Sequence, residues 1–167
     1  MKNHLKYILI LLSLTVSLFT SCETEEGYKD FNVEKTDVIE LSGDWYVETS
    51  LNGSVVLGYE IITTSNTAND NSAIRIFDHE HIWAFNIAVP VNVENLTFEG
   101  SSLSSDVDGY QITVNITNGK IEKNGTLTSD TNMTTDLISF DAEFSDEPGN
   151  IYHIEGYKRS GYLEDEH

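Results

Sequence analysis

Cysteine is nearly missing from this chain. Its 167 residues hold one, Cys22, so no disulfide can form within a single molecule. Cations are scarce too. Nine Lys and Arg stand against 28 Asp and Glu, for a formal charge of −19. Phosphate backbones are held by cationic surfaces, so nucleic acid is not expected as a partner. Several catalytic signatures are absent as well. There is no Gly-x-Ser-x-Gly elbow for a serine hydrolase, no His-Glu-x-x-His zinc helix and no glycine-rich phosphate loop. Beyond the N-terminal segment, no stretch carries a convincing helical period.

What the chain does have begins at its N-terminus. Lys2 and Lys6 precede the apolar run "YILILLSLTVSLF", which is too short and too early for an ordinary spanning helix. Thr20 and Ser21 then stand directly before Cys22. A signal peptide over residues 1–21 is expected. "LFTSC" resembles the lipobox of bacterial lipoproteins. That resemblance implies acyl chains such as palmitate on Cys22, which becomes the first residue after cleavage. The alternative is a chance cysteine behind an ordinary signal peptide. Each buried methylene contributes ~0.8 kcal/mol, and several chains together anchor stably. The expectation is a protein anchored to a membrane without spanning it.

Cleavage there would remove two lysines and no acid, leaving seven bases against 28 acids and a charge of −21. Anionic head groups would repel such a chain, so acyl chains rather than charge must hold it. Residues 22–36 form a polar, acidic stretch that reads as a tether. Glu23, Glu25 and Glu26 resemble an export signal for the outer face of the outer membrane; a plain charged linker is the other reading. The expected location is the cell envelope, at the outer membrane, with the cell surface as one option.

Residues 37–167 read as one domain. Apolar residues alternate with polar ones almost throughout, giving about nine strand candidates. "DWYVETSL" puts Trp45, Val47, Thr49 and Leu51 on one face. "VLGYEIITT" puts Leu57, Tyr59 and Ile61 together. "IWAFNIAVPV" aligns Trp83, Phe85, Ile87 and Val89. "GYQITVNIT" aligns Tyr110, Ile112, Val114 and Ile116, and "LISFDAEFSD" aligns Ile138, Phe140, Ala142 and Phe144. Asn52-Gly53, Asp108-Gly109, Asn118-Gly119 and Asn124-Gly125 are two-residue hairpin signals. Asn118-Gly119 is expected to join two strands, the second short and polar. Sequential hairpins around one apolar interior predict an all-β fold: a single antiparallel up-and-down barrel of about eight to nine strands.

The opening "SGDWYV" resembles the start of the lipocalins and wider calycins. In that class the Trp plugs the closed end of the barrel and a basic residue of the last strand packs over it. Gly43, Trp45 and Arg159 are the positions this implies for a structural floor. More specifically, the chain resembles the lipid-binding putative hydrolase family of bacterial lipoproteins. "SGDWYV", "WAFNIAVPVNVENLTF", "ITVNITNGKIEKNG" and "FDAEFSDEPGNIYHIEGYKRSGYLEDE" carry the resemblance in order. It implies a calycin-like barrel that binds an apolar ligand, with hydrolysis as a label and no catalytic residue to carry over.

Candidate site residues follow from inward parity. Trp83, Phe85, Phe98, Tyr110 and Phe140 either fill the core or line a lumen, and Tyr59 and Tyr110 could add polar groups to it. His79 and His81, two apart in "FDHEHIW", are weak zinc candidates. The same stretch reads more simply as a solvated hairpin tip, and apart from the C-terminal His167 only His153 remains in the domain as a further histidine ligand. Asp141 and Glu143 share a polar, outward strand face, where a solvated surface is the simpler account than paired acid–base work. Five Asn-x-Ser/Thr matches, at Asn52, Asn95, Asn115, Asn124 and Asn132, fit an Asn- and Thr-rich composition. No cofactor is implied. The leading expectation is therefore a lipid or other small apolar ligand held in a barrel lumen. A hydrolase acting on a lipid-like ester or glycan, and a surface interaction module with a filled barrel, are the alternatives.

Overall fold

The computed structural model describes residues 37–68 and 72–167. The expected signal peptide, Cys22 and the tether lie outside them. The described residues form a closed antiparallel barrel in which each strand pairs with the next and β8 returns to β1. The strands are β1 (Gly43–Leu51), β2 (Ser54–Asn66), β3 (Ala73–Phe77), β4 (Asn86–Asn92), β5 (Thr97–Ser104), β6 (Thr113–Leu127), β7 (Thr134–Phe144) and β8 (Tyr152–Lys158). This is the expected up-and-down barrel, with eight strands.

Two strand assignments merge into one. Thr113–Leu127 runs as a single strand past both Asn118-Gly119 and Asn124-Gly125. The pairs are bulges, marked by register shifts between Thr117 and Lys120 and between Glu122 and Thr126 against β7. Asn118 and Asn124 take positive φ values of 56° and 53°, which asparagine tolerates in a bulge as it does in a turn. Gly119 lies against β5; a Cβ there would sit 2.2 Å from the Phe98 carbonyl oxygen. Asn52-Gly53 is a true hairpin turn, with φ of 52° and 78° as a type I′ turn requires.

The interior is packed. Ile62, Ile74, Ile76, Ile87, Val114, Ile138, Phe140, Phe144 and Ile154 are fully buried around the barrel axis, alternating with polar outward neighbours. A short 3-10 turn, Asp37–Leu41, closes one end with Val38 and Leu41. Trp45 lies in that floor, fully buried. Its Nε1 donates to Thr64 Oγ1 at 2.8 Å, and Thr64 in turn donates to the Leu41 carbonyl at 2.6 Å.

The basic residue above the indole is Lys158, not Arg159. Lys158 Nζ stands 5.5 Å from the Trp45 ring centroid and donates to the Ser42 carbonyl at 3.0 Å. Gly43 makes this possible: a Cβ there would lie 2.7 Å from Lys158 Cε. Arg159 points outward and pairs with Glu166 at 2.5 Å. The difference is one of strand parity, since Trp45 sits directly opposite Lys158 and neighbouring residues of β8 face opposite sides.

Residues 159–167 strap the outer face. Tyr46, Tyr59, Tyr157 and His167 form an aromatic cluster there, with Tyr59 stacked on His167 at 4.4 Å. Asp165, almost fully buried, accepts from the Thr131 backbone and hydroxyl and from Ser160. Burial alone would raise its pKa, but these hydrogen bonds outweigh it and hold the carboxyl well below the usual range.

Candidate functional site

The end opposite Trp45 is covered by a loop rather than a strand. β3 stops at Phe77, while its partner β2 runs on past Thr63, the residue opposite Phe77. Residues 78–85 fill the space. Asp78 organises them. Its carboxylate is fully buried and accepts backbone N–H bonds from Glu80 (3.0 Å), Ile82 (3.2 Å), Trp83 (2.8 Å) and Phe85 (2.9 Å). Four donors converging on one carboxylate satisfy an anion that burial would otherwise make costly. His79, Glu80 and Ala84 all take positive φ, which breaks the strand alternation of "HIWAF".

Trp83 and Phe85 therefore sit on this cover and not on β4. Phe85 is fully buried. Trp83 stacks on Phe144 with centroids 4.6 Å apart and planes 5° apart, and it also meets Tyr152 at 5.0 Å. Its Nε1 donates to Asp146 Oδ1 at 3.1 Å. Tyr110 donates to the other oxygen of the same carboxylate. That hydrogen bond raises the Tyr110 pKa and lowers that of Asp146. Asp146 thus ties the cover to the loop before β6.

Against the cover lies a cleft of about 280 Å3, open to solvent beside the exposed Val56 and His81 and lined further by Thr49, Leu51, Leu57, Ile82, Trp83 and Tyr152. At about 30 Å3 per water molecule in the liquid, this is roughly nine waters' worth. Its walls are mostly apolar with a few polar groups, as small-ligand sites are. His81 Nδ1 lies 3.3 Å from Glu60. Tyr152 donates to Glu147, which pushes the phenol up to about 12. Thr49 is 2 % exposed, and no group among the described residues bonds its hydroxyl. A larger groove, about 630 Å3, lies over β4, β5 and β6. Pro90, Asn92, Glu99, Asn118 and Lys120 on its walls are exposed, and several are polar or charged.

The sequence-derived site residues divide three ways. Trp83 lines the cleft. Phe85, Phe98 and Phe140 are buried in the core, and Tyr110 braces the cover. Tyr59 lies outside the barrel against His167. A register shift between β1 and β2 accounts for it: Glu60 stands opposite Val47 but Leu57 stands opposite Thr49, so parity reverses between Leu57 and Glu60. His79 and His81 keep their ring centroids 6.0 Å apart but have different partners, His79 with Thr63 at 2.8 Å and His81 with Glu60. No group of three or more His, Cys, Asp or Glu among the described residues is placed to hold a metal ion. Asp141 bonds Asn118 and His153, and Glu143 bonds Asn115 and Gly149, all on the outer surface.

Sequence reasoning missed Thr49, Glu60, Ile82 and Tyr152 as site residues. Thr49 carried a usable signal, a polar side chain on an otherwise apolar inward face. Glu60 carried none, since only the register shift turns it inward.

An eight-stranded closed meander with a plugged floor is a barrel of the size that either fills its interior with side chains or leaves room for one small ligand. The family agrees with it. Residues 30–163 match the family described as "Lipid-binding putative hydrolase", and the chain belongs to that family. No curated protein matches the chain. Fold and family together are those of a lipid-binding protein.

Proposed function

We propose that this protein is a membrane-anchored lipoprotein that holds a small lipid or another small apolar molecule against the loop of residues 78–85. The cleft lined by Leu51, Leu57, Ile82 and Trp83 carries this reading. The rest of the interior is filled by buried aromatic and aliphatic side chains, so the ligand occupies the covered end and not the whole lumen. Acyl chains on Cys22 hold the protein to the membrane, in the cell envelope and at the outer membrane. Trp83 provides the test. Titration of the purified protein with a short-chain fatty acid or alcohol shifts Trp83 emission saturably, and Trp83→Phe abolishes the signal. Native mass spectrometry finding neither co-purified ligand nor uptake, with no emission change, overturns the proposal.

One observation favours hydrolysis of a lipid-like ester as a second reading. An imidazole held by a carboxylate, His81 on Glu60, at the edge of an apolar cleft is an arrangement that serves a general base. Turnover of a short-chain ester that His81→Gln abolishes supports it. A screen showing no turnover above that of the heat-inactivated protein removes it.

A further inference from the structure

Eight large hydrophobic side chains are exposed among the described residues, and they fall at the two ends of the barrel. Val55, Val56 and Ile151 stand at the mouth, where Val56 lines the cleft. Ile39, Leu127, Met133, Tyr162 and Leu163 stand at the floor. One hairpin gathers this second group. Leu127 and Met133 flank its turn, where the Thr128 N–H donates to the Met133 carbonyl at 2.9 Å. Asp165 accepts from the Asp130 and Thr131 N–H groups, which fastens the segment carrying Tyr162 and Leu163 to that turn. Lys123 pairs with both Glu40 and Asp136, which brings the turn carrying Ile39 against the base of the same hairpin. Leu163 is 87 % exposed. Exposed apolar residues scattered singly need no account, but a group of them marks an interaction surface.

The chain also joins the domain at this end. The 3-10 turn Asp37–Leu41 closes the floor, and residues 23–36 separate it from Cys22. Their reach is roughly 50 Å at full extension. β7, Thr134–Phe144, runs the height of the barrel, about 25–30 Å once strand rise and tilt are combined. To lay the mouth on the anchoring bilayer, the linker would use up about half of that reach along the barrel wall. The floor meets the bilayer without this stretch. A tethered face also needs little intrinsic affinity, because a short linker raises its effective concentration to the order of millimolar. Resting on the reading of Cys22 as the acylated anchor, we propose that the floor of the barrel is a membrane-docking face. Ile39, Leu127, Met133, Tyr162 and Leu163 enter the head-group layer of the bilayer that holds the anchor. Tyr162 suits that depth, with an apolar ring and a polar tip. Asp37, Asp130 and Glu164 are exposed on the same segments, which selects zwitterionic over anionic head groups. The cleft at Trp83 then faces away from this membrane. Its ligand arrives from the aqueous side and not laterally out of the anchoring bilayer.

The test uses the full chain, acylated at Cys22, in phosphatidylcholine vesicles. A nitroxide is attached to one introduced cysteine, Leu163→Cys or Met133→Cys at the floor and Val56→Cys or Ile151→Cys at the mouth. Acylated Cys22 takes no label. All four positions are exposed, so the barrel tolerates the changes. Collisions with oxygen, which partitions into lipid, are compared with collisions with a water-soluble nickel chelate. The ratio of oxygen to nickel collisions is severalfold higher at the two floor labels than at the two mouth labels. Leu127→Ser combined with Leu163→Ser moves the Met133→Cys label back toward the nickel chelate. A higher oxygen ratio at the mouth, or a preference for the nickel chelate at all four positions, overturns the docking face while the anchor stands. If Cys22 carries no acyl mass and the chain does not float with the vesicles, anchor and docking face fall together.

Discussion

Trp45 and Lys158 show how much a single side chain decides at the closed end. The indole is fully buried, hydrogen-bonded and overlaid by an ammonium group. Trp45→Ala should cost roughly 3–5 kcal/mol, as large aromatic truncations in cores do, measured by chemical denaturation. In a Trp83→Phe background only Trp45 emits. Lys158→Met should then alter the emission, while Arg159→Met leaves it untouched. The reverse result would return Arg159 to the floor. The Gly43-x-Trp45 spacing was legible because its causes are local: a glycine for close approach and an inward aromatic at the strand start. The choice between two adjacent bases was not. It depends on which residue of β8 faces Trp45, and that register is set by pairing across the ends of the domain.

At the scale of elements, the loop of residues 78–85 is one cooperative piece hung on Asp78. Asp78→Ala leaves four backbone N–H groups without their acceptor. It should destabilise the protein by about 2–4 kcal/mol, within the range for a broken network around a buried charge. Amide exchange should quicken at Ile82, Trp83 and Phe85 before it does so in β7. Uniform exchange across the domain would show that Asp78 supports the whole barrel and not the cover. The same element shows where alternation misleads. "IWAFNIAV" keeps period two into the loop, because Phe85 is buried there for a different reason than Ile87. Likewise an Asn-Gly pair permits either a turn or a bulge. Both pairs in β6 become bulges because β7 continues alongside, supplying partners from Phe144 to Thr134. Local sequence records the permissive φ but not the neighbour that decides its use.

Across the whole molecule, the C-terminal strap should be a site of acid sensitivity. Asp165 and Glu166 both titrate below their ordinary values in the folded state, Asp165 through bonds from Thr131, Ser160 and Asp130, and Glu166 through Arg159 and Tyr46. A lowered folded-state value means that stability is complete above the unfolded value and is lost as pH falls through the folded one. The strap should therefore hold at neutral pH and loosen only below the ordinary carboxylate range. Tyr59 and Tyr157 resonances should report its release before Trp45 changes. Asp165→Asn should release it already near neutrality. Simultaneous loss of strap and floor signals would show that the two melt as one unit.

Ring closure also has a temporal side. The hydrogen bonds that complete the barrel join β1 to β8, with Trp45 opposite Lys158 and Leu51 opposite Tyr152. Nothing can zip that seam until the final strand has left the ribosome. Until then β1 and β7 present open edges, which pair readily with other chains. Such long-range pairing is also slow to form. A nascent chain of this kind stays unsealed until its last strand arrives, and its hazard lies in that interval.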